Sequence, residues 1–149
     1  MIRINAPEDG YTIADLAGVH WYSPKNASCI ARLDDDGVLL GGVLYEKWRK
    51  GGSVELHFAA TSKLWVSRTL LWAVFDYPFN QLECRKVLGF TPSSKVEALA
   101  ILERLGFTTD VVIDDVFPDG GSMIVSHLYR QDCRWLTPPR DMERIIQDG

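Results

Sequence analysis

The chain has 149 residues, of which 46% are hydrophobic and 24% are charged, and its formal net charge is −4 at pH 7. These values are typical of one water-soluble globular domain, and they exclude intrinsic disorder and fibrous repeats. A pI near 5.3 argues against a dominant basic face, so nucleic acid is not an expected partner. The longest apolar run, 70–75, is far below the roughly 20 residues that span a bilayer, and the first ten residues lack an apolar secretion core. We therefore expect a cytoplasmic protein without membrane contact.

The residues that most often bind metals are scattered through the chain. They are Cys29, Cys84 and Cys133, and His20, His57 and His127. The cysteines are odd in number and widely spaced, so they predict neither a disulfide framework nor a metal clip, and we expect them to be reduced. The histidines show no HxH or HExxH spacing. No metal site is predicted.

Turn signals divide the chain into helical and β segments. A weakly patterned helix is predicted over 11–21, an antiparallel three-strand meander over 28–61, and a later hairpin over 109–135. The turns are 34–37 (DDDG), 50–52 (KGG) and 118–121 (PDGG). The runs that flank these turns are rich in β-branched and aromatic residues, which favour strands.

Two further helices lie between the β regions. The first, 65–75, is apolar on nearly every side, which predicts deep burial, and Pro78 ends it. The second opens with a capping box, Ser94 and Glu97, and Gly106 suits the left-handed position at its end. Its predicted apolar stripe is Ala98, Ile101, Leu102 and Leu105.

A short strand, 85–91, is predicted between these helices. The chain reaches it from the last strand of the meander through a helix, which is a βαβ crossover. Those two strands are therefore expected to be parallel in an otherwise antiparallel sheet. The tail, 137–149, is polar, with a break at Pro138-Pro139 and a short helix predicted over 142–146 (MERII). We place the domain at 1–136 and treat the tail as separate.

The order of these elements resembles the GCN5-related N-acetyltransferase (GNAT) superfamily. The best sequence anchor is ALAILERLGF at 98–107, which is similar to the family's N-x-x-A-x-x-L-Y-x-K-x-G-F segment. A second anchor is the strand SVELHFAAT feeding the helix TLLWAVF. The closing segment HLYRQDCRWL also resembles small acetyltransferase-like proteins of tailed phages. The resemblance covers about 11–136 and implies an α/β fold: a mixed central β-sheet flanked by helices, with a splayed parallel strand pair.

The same resemblance implies an acyl-CoA N-acyltransferase that transfers acetyl from acetyl-CoA to an amine by direct attack. In the family the pantetheine arm lies between the splayed strands, and backbone amides at the following helix start hold the pyrophosphate. The residues here that the resemblance assigns to acetyl-CoA are Phe58, Ala59, Lys63, Trp65, Val66, Ser67 and Arg68. Lys63 and Arg68 would contribute positive charge.

Two departures from the family pattern keep a second function open. The signature Q/R-x-x-G-x-G/A is not met, because Trp65 and Ser67 stand where small residues usually let phosphate approach. The tyrosine with which many relatives reprotonate the departing thiolate is Leu102 here, and the usual asparagine is Lys95. The alternative is a catalytically degenerate member of the fold, retained as a binding or structural protein.

Candidate catalytic residues lie on the strand SVELHFAAT and on the last hairpin. Strict alternation places Glu55 and His57 together on the face opposite the apolar residues. A carboxylate on a covered central strand is costly unless it has a task or a partner. We predict that Glu55 takes a proton from the acceptor ammonium through a water that His57 orients; the alternative is a polar face that meets solvent. Tyr129 is the candidate replacement acid, and packing is its alternative role.

The acceptor is expected to be a small-molecule or peptide amine. Its identity and the oligomeric state are not indicated by the sequence. In this fold acceptor specificity comes from the first helix and the hairpin loops, here HWYSPKN at 20–26 and FPDGG at 117–121. Trp21, Tyr22 and Trp48 are candidates to line an acceptor pocket or to serve as ordinary packing.

Overall fold

A computed structural model describes residues 1–21 and 28–147. The strands are β1 (Ile2–Ile4), β2 (Ser28–Leu33), β3 (Leu39–Glu46), β4 (Ser53–Ala60), β5 (Lys86–Pro92), β6 (Thr108–Ile113), β7 (Met123–Tyr129) and β8 (Ile145–Gln147). The α-helices in this part of the chain are α1 (Pro7–Ala17), α2 (Arg68–Asp76) and α3 (Val96–Leu105), and the same residues include a π-turn (Tyr77–Gln81) and a 3-10 turn (Arg130–Asp132). Within the described residues the strands form one sheet in the order β6-β7-β5-β4-β3-β2-β1-β8.

The predicted mixed sheet is confirmed. β4 and β5 are parallel neighbours joined through α2, while β2, β3 and β4 form the antiparallel meander and β6 and β7 the later hairpin. The sheet has helices on both faces. Leu56 and Phe75 belong to the core on the α2 and α3 side, and Leu44 and Ile13 to a second core under α1.

The first helix lies earlier in the chain than predicted. It begins at Pro7 and ends at Ala17, followed by Gly18 in the left-handed conformation with φ 72°. Proline at a first helical position and glycine just after the last are the signals that locate this helix, whereas the weak apolar pattern over 11–21 placed it several residues too late.

The start of α3 also differs from the prediction. Its N-cap is Lys95, and no side chain caps the helix, so the predicted capping box of Ser94 and Glu97 is wrong. The carbonyl of Pro92 accepts the Lys95 N–H at 3.0 Å, and this turn delays the helix start. The end of α3 is as predicted, because Gly106 is left-handed with φ 106° and Phe107 folds back into the core.

The tail joins the sheet instead of forming a helix. Residues 145–147 are a strand, β8, that pairs in parallel with β1 in the register Ile2↔Ile145. The short helix predicted over 142–146 is therefore wrong. Among the described residues, no helix is both long enough and apolar enough to cross a membrane.

Candidate active site

The central feature of the site is the point at which β4 and β5 separate. The two strands pair only from Ser53↔Lys86 to Leu56↔Gly89. Beyond this point β4 stays paired with β3 and β5 with β7. The inner edges of the two strands therefore present unpaired backbone donors and acceptors to the gap between them.

A cleft of about 1190 Å³ opens at this gap. Its lining includes Leu16 and Ala59 from the α1 side, and Leu71 and Ile101 from the α2 and α3 side, so the cleft reaches both faces of the sheet. Among the described residues, the charged groups on its wall are four cations and one carboxylate: Lys63, Lys95, Arg104, Arg134 and Glu97. The cleft is therefore locally cationic in a chain whose net charge is −4, which suits a phosphorylated ligand.

Trp65 anchors the turn between β4 and α2 to the sheet. Its ring stacks on Phe58 with centroids 5.8 Å apart, and its side chain is buried. A Cβ at Gly41 would lie 2.8 Å from the Trp65 ring, so the glycine on β3 creates the seat for the indole. Trp65 forms part of the cleft wall from this fixed position.

Ser67 is the N-cap of α2. Its hydroxyl accepts the Leu70 N–H at 3.1 Å and is also hydrogen-bonded to the Glu143 carboxylate. Of the other residues assigned to acetyl-CoA, Phe58, Ala59, Lys63 and Val66 line the cleft with Trp65, while Ser67 and the exposed Arg68 lie outside its lining. The structure therefore brings five of the seven together.

Glu55 and His57 lie on the α1 face of β4, as the alternation indicates. His57 is opposite Leu44, a member of the α1 core. The Glu55 side chain is only 8% exposed and has two cationic neighbours, Arg49 Nη2 at 3.5 Å and Lys47 Nζ at 3.9 Å. These ion pairs account for the burial of the carboxylate without a catalytic task.

His57 has a different partner, one that the sequence analysis missed. Its Nε2 lies 3.1 Å from Glu46 Oε2 on β3. A carboxylate only accepts hydrogen bonds, so this contact favours the tautomer with the proton on Nε2 and a free lone pair on Nδ1. His57 is the first residue of β4 beyond the last β4–β5 pair. The turn at 50–52 could have predicted this contact. The hairpin register places Glu46 opposite Glu55, and His57 follows two residues later on the same face of β4.

Tyr129 does not lie near this gap. It pairs with Lys86, at the other end of β5, and lines a separate hollow of about 620 Å³ with Cys84, Arg85 and Arg130. Its role as the replacement acid stays a prediction, and its position does not support that role.

Leu102 contributes to the core. It is 4% exposed, whereas the other three residues of the predicted stripe, Ala98, Ile101 and Leu105, are half-buried and line the cleft. The predicted packing of α3 on the sheet is thus correct for Leu102, and also for Ile101 and Leu105, which pack against the same core while lining the cleft; Ala98 belongs to the cleft wall only.

The thiols are unsuited to nucleophilic attack. Burial raises the pKa of Cys29 to about 11 and also raises the pKa of Cys84 and Cys133. A thiol is nucleophilic as its thiolate, so these three groups are poor nucleophiles at neutral pH.

The predicted acceptor loops are only partly within the described residues. Tyr22 and most of the segment 20–26 lie outside them. Trp21 is buried against Tyr11, with ring centroids 5.1 Å apart. Trp48 is half-exposed, and its indole N–H donates to the Leu82 carbonyl at 3.3 Å.

Solved structures of acetyltransferases share this fold. A chimera of spermidine N-acetyltransferase SpeG from Vibrio cholerae and hSSAT matches with a TM-score of 0.70 and 16% identity, over 92% of this chain and 99% of that one. A point mutant of SpeG from Vibrio cholerae matches with a TM-score of 0.72 and 15% identity, over 92% and 98%. A GNAT-family acetyltransferase from Bacillus anthracis gives 0.62 and 11%, over 87% and 94%.

No family model and no curated protein sequence matches the chain. The solved structures confirm the predicted GNAT-like fold over most of the chain. The narrower resemblance to phage proteins stays a prediction.

Proposed function

We propose that this protein is an N-acetyltransferase that moves acetyl from acetyl-CoA to an amine by direct attack. The observation that carries the proposal is the parallel β4–β5 pair, which separates after Leu56 and Gly89 into a cationic cleft open to both faces of the sheet. An acyl donor and an amine entering from opposite faces would meet in this gap. The fold shared with GNAT acetyltransferases supports the same reaction.

The cleft residues fit acetyl-CoA. The open inner edge of β4, from Phe58 to Ala60, offers backbone groups to the amides of a pantetheine arm. At the start of α2, the amides of Arg68 and Thr69 have no intrahelical acceptor, and Lys63, in the preceding turn, lies on the cleft wall. When bound, acetyl-CoA supplies the activated acyl group and a good thiolate leaving group.

The α1 face provides the base. His57 is itself outside the cleft lining, so we assign to its Nδ1 proton removal from the acceptor ammonium through water, with Glu46 holding the ring by its Nε2–H. Glu55, the base predicted from the sequence, is instead paired with the two cations Arg49 and Lys47. The amine must be neutral to attack, because an alkyl ammonium has a pKa near 10 and no free lone pair.

The leaving thiolate would be reprotonated by water. Leu102 stands at the position of the family tyrosine and is buried, so it supplies no proton. A thiolate is a stable enough leaving group for water to serve, at some cost in rate. The same observation favours the second candidate function, a non-catalytic acyl-CoA-binding protein of this fold.

The neighbours suggest where to look for the acceptor. SpeG acts on spermidine, so we propose small amines, polyamines among them, as the first acceptors to test. We place the protein in the cytoplasm, where such amines and acetyl-CoA are both available.

Two measurements on the full chain separate the candidates. Calorimetry with acetyl-CoA is expected to give a Kd in the micromolar range, about 1–100 μM. A thiol-release assay with a panel of primary amines is then expected to show turnover. Binding without release would favour the second candidate, and no binding at millimolar acetyl-CoA would refute both.

A further inference from the structure

The C-terminal strap, residues 130–147, contacts both helices that flank the cleft. The Trp135 indole N–H donates to the Leu105 carbonyl at the end of α3, at 3.1 Å. Further along, the Glu143 N–H donates to Thr69 Oγ1 in the first turn of α2, at 3.0 Å. The strap thus runs from one helix to the other before it pairs with β1 as β8.

The Glu143 side chain reaches the turn between β4 and α2. One carboxylate oxygen accepts from Arg32 Nε at 2.9 Å, and the other is hydrogen-bonded to the Ser67 hydroxyl. Arg32 also donates from Nη1 to the Leu64 carbonyl. The Glu143–Arg32 pair therefore holds this turn at two points, Leu64 and Ser67.

The residues that make these contacts are not part of the cleft lining. Glu143, Arg32 and Ser67 are outside the cleft lining, whereas Lys63 and Val66 of the same turn form part of it. Partial burial alone would raise the pKa of Glu143, but hydrogen bonds from Ser67 and Arg32 bring it below its usual value. The carboxylate is thus charged and paired at neutral pH, and it leaves the cleft free for a ligand.

We propose that Glu143 is a positioning residue for the phosphate-binding turn of the cofactor cleft. It fixes Ser67 directly and Leu64 through Arg32, so that Lys63 and the amides at the start of α2 are held in place before the ligand arrives. A turn that is already ordered loses less conformational entropy on binding, and the saving appears as affinity. This inference rests on the proposed function, because it assigns acetyl-CoA to the cleft.

The test compares Glu143→Gln with Asp141→Asn in the full chain. Both variants convert a carboxylate of the strap to an amide, but Asp141 is exposed and serves as the matched control. Two quantities are measured: amide hydrogen exchange of the Leu70 and Leu71 N–H groups in the free protein, and the Kd for CoA. In E143Q we expect the exchange rate of these two amides to rise about ten-fold and the Kd for CoA to rise by a similar factor. In D141N both quantities should equal those of the wild type. Thermal unfolding checks that each variant is folded.

A second variant guards against a general loss of structure. Arg32→Lys keeps the charge but reaches only one of the two acceptors, so it should raise the Kd by less than E143Q does. Unchanged exchange in folded E143Q, or looser exchange with an unchanged Kd, would overturn the inference. If the wild type binds no CoA while the turn loosens in E143Q, the proposed function is refuted and the ordering role of Glu143 is supported.

Discussion

The two faces of β4 carry opposite kinds of chemistry. On the α2 and α3 face, Val54, Leu56 and Phe58 contribute to or pack against the main core, and the cleft beside them is rimmed by cations. On the α1 face, Glu55 and His57 lie in a network of charged groups. In the proposed function, one strand would therefore face two substrates of different character, on either side of the gap beside Leu56. Variants on one face should change turnover, and variants on the other should change acetyl-CoA affinity or stability.

The largest effect is expected on the charged face. His57→Ala should lower kcat by about 10²–10⁴-fold, because it removes the proposed base, while the Kd for acetyl-CoA stays the same. Glu46→Gln should give a smaller loss of kcat and shift the pH profile, since Gln leaves the ring without its carboxylate. Thiol release at saturating acetyl-CoA measures both.

A matched control exists on β7, beyond β5. His127 also contacts a carboxylate, with Nδ1 2.7 Å from Asp110 Oδ1. His127→Ala should leave kcat within about two-fold of wild type, because this pair lies away from the β4–β5 gap. Equal losses in the two histidine variants would mean that His57 has no special role.

Substitutions in the core beside the apolar face of β4 should lower the stability of the protein. Leu102→Ala is expected to lower the free energy of unfolding by about 2–5 kcal/mol, because it leaves a cavity where α3 meets the sheet. Leu64→Ala, at a side chain that is 77% exposed, should change it by less than about 0.5 kcal/mol. Urea denaturation compares the two, and a cost below about 1 kcal/mol for L102A would place that side chain in an open cleft.

The cations on the cleft wall should determine the affinity for acetyl-CoA. Lys63→Glu is expected to raise the Kd for acetyl-CoA about ten-fold, because the lysine lines the cleft. Arg68→Glu should raise it by only about two- to three-fold, since Arg68 lies outside the lining. Both effects should shrink at high salt. A larger rise in Kd for R68E than for K63E would indicate that the phosphates bind near Arg68, outside the cleft lining.

The smallest effect concerns pH and the strap. The lowered pKa of Glu143 means that its interactions stabilise the fold above the unfolded-state value of about 4.3. This contribution is lost as the pH falls through the lower folded-state pKa. The charged groups that face this carboxylate are Arg32 and the Met1 amino group. The stability difference between wild type and E143Q should therefore shrink between pH 6 and pH 3, and a constant difference in urea denaturation would contradict this.

Local patterns predicted the parts of the fold that are specified by neighbouring residues. The turns at 34–37, 50–52 and 118–121 predicted the antiparallel pairs of the meander and of the hairpin. The crossover through a helix predicted the parallel pair of β4 and β5. The alternation in β4 predicted that Glu55 and His57 share a face. Each of these features depends on residues close together in the chain, or on a connection with one favoured geometry.

Features that depend on distant residues were missed. Glu143 lies 76 positions from Ser67, and no local pattern indicates their contact. β1 and β8 are three-residue strands whose pairing joins the two ends of the described chain. Tyr129 was chosen as an acid by residue type, and the strand register, which the sequence analysis did not use, places it opposite Lys86, at the end of β5 away from the gap. Residue type alone does not position a side chain.

The central claim is that acetyl-CoA lies along the open inner edge of β4. Hydrogen exchange of the full chain with and without saturating acetyl-CoA tests it directly. We predict slower exchange in 58–68, where a pantetheine arm and phosphates would cover the β4 edge and the start of α2, and no change in the β6–β7 hairpin. Protection confined to the hollow around Tyr129, or no protection anywhere at a saturating concentration, would contradict the account.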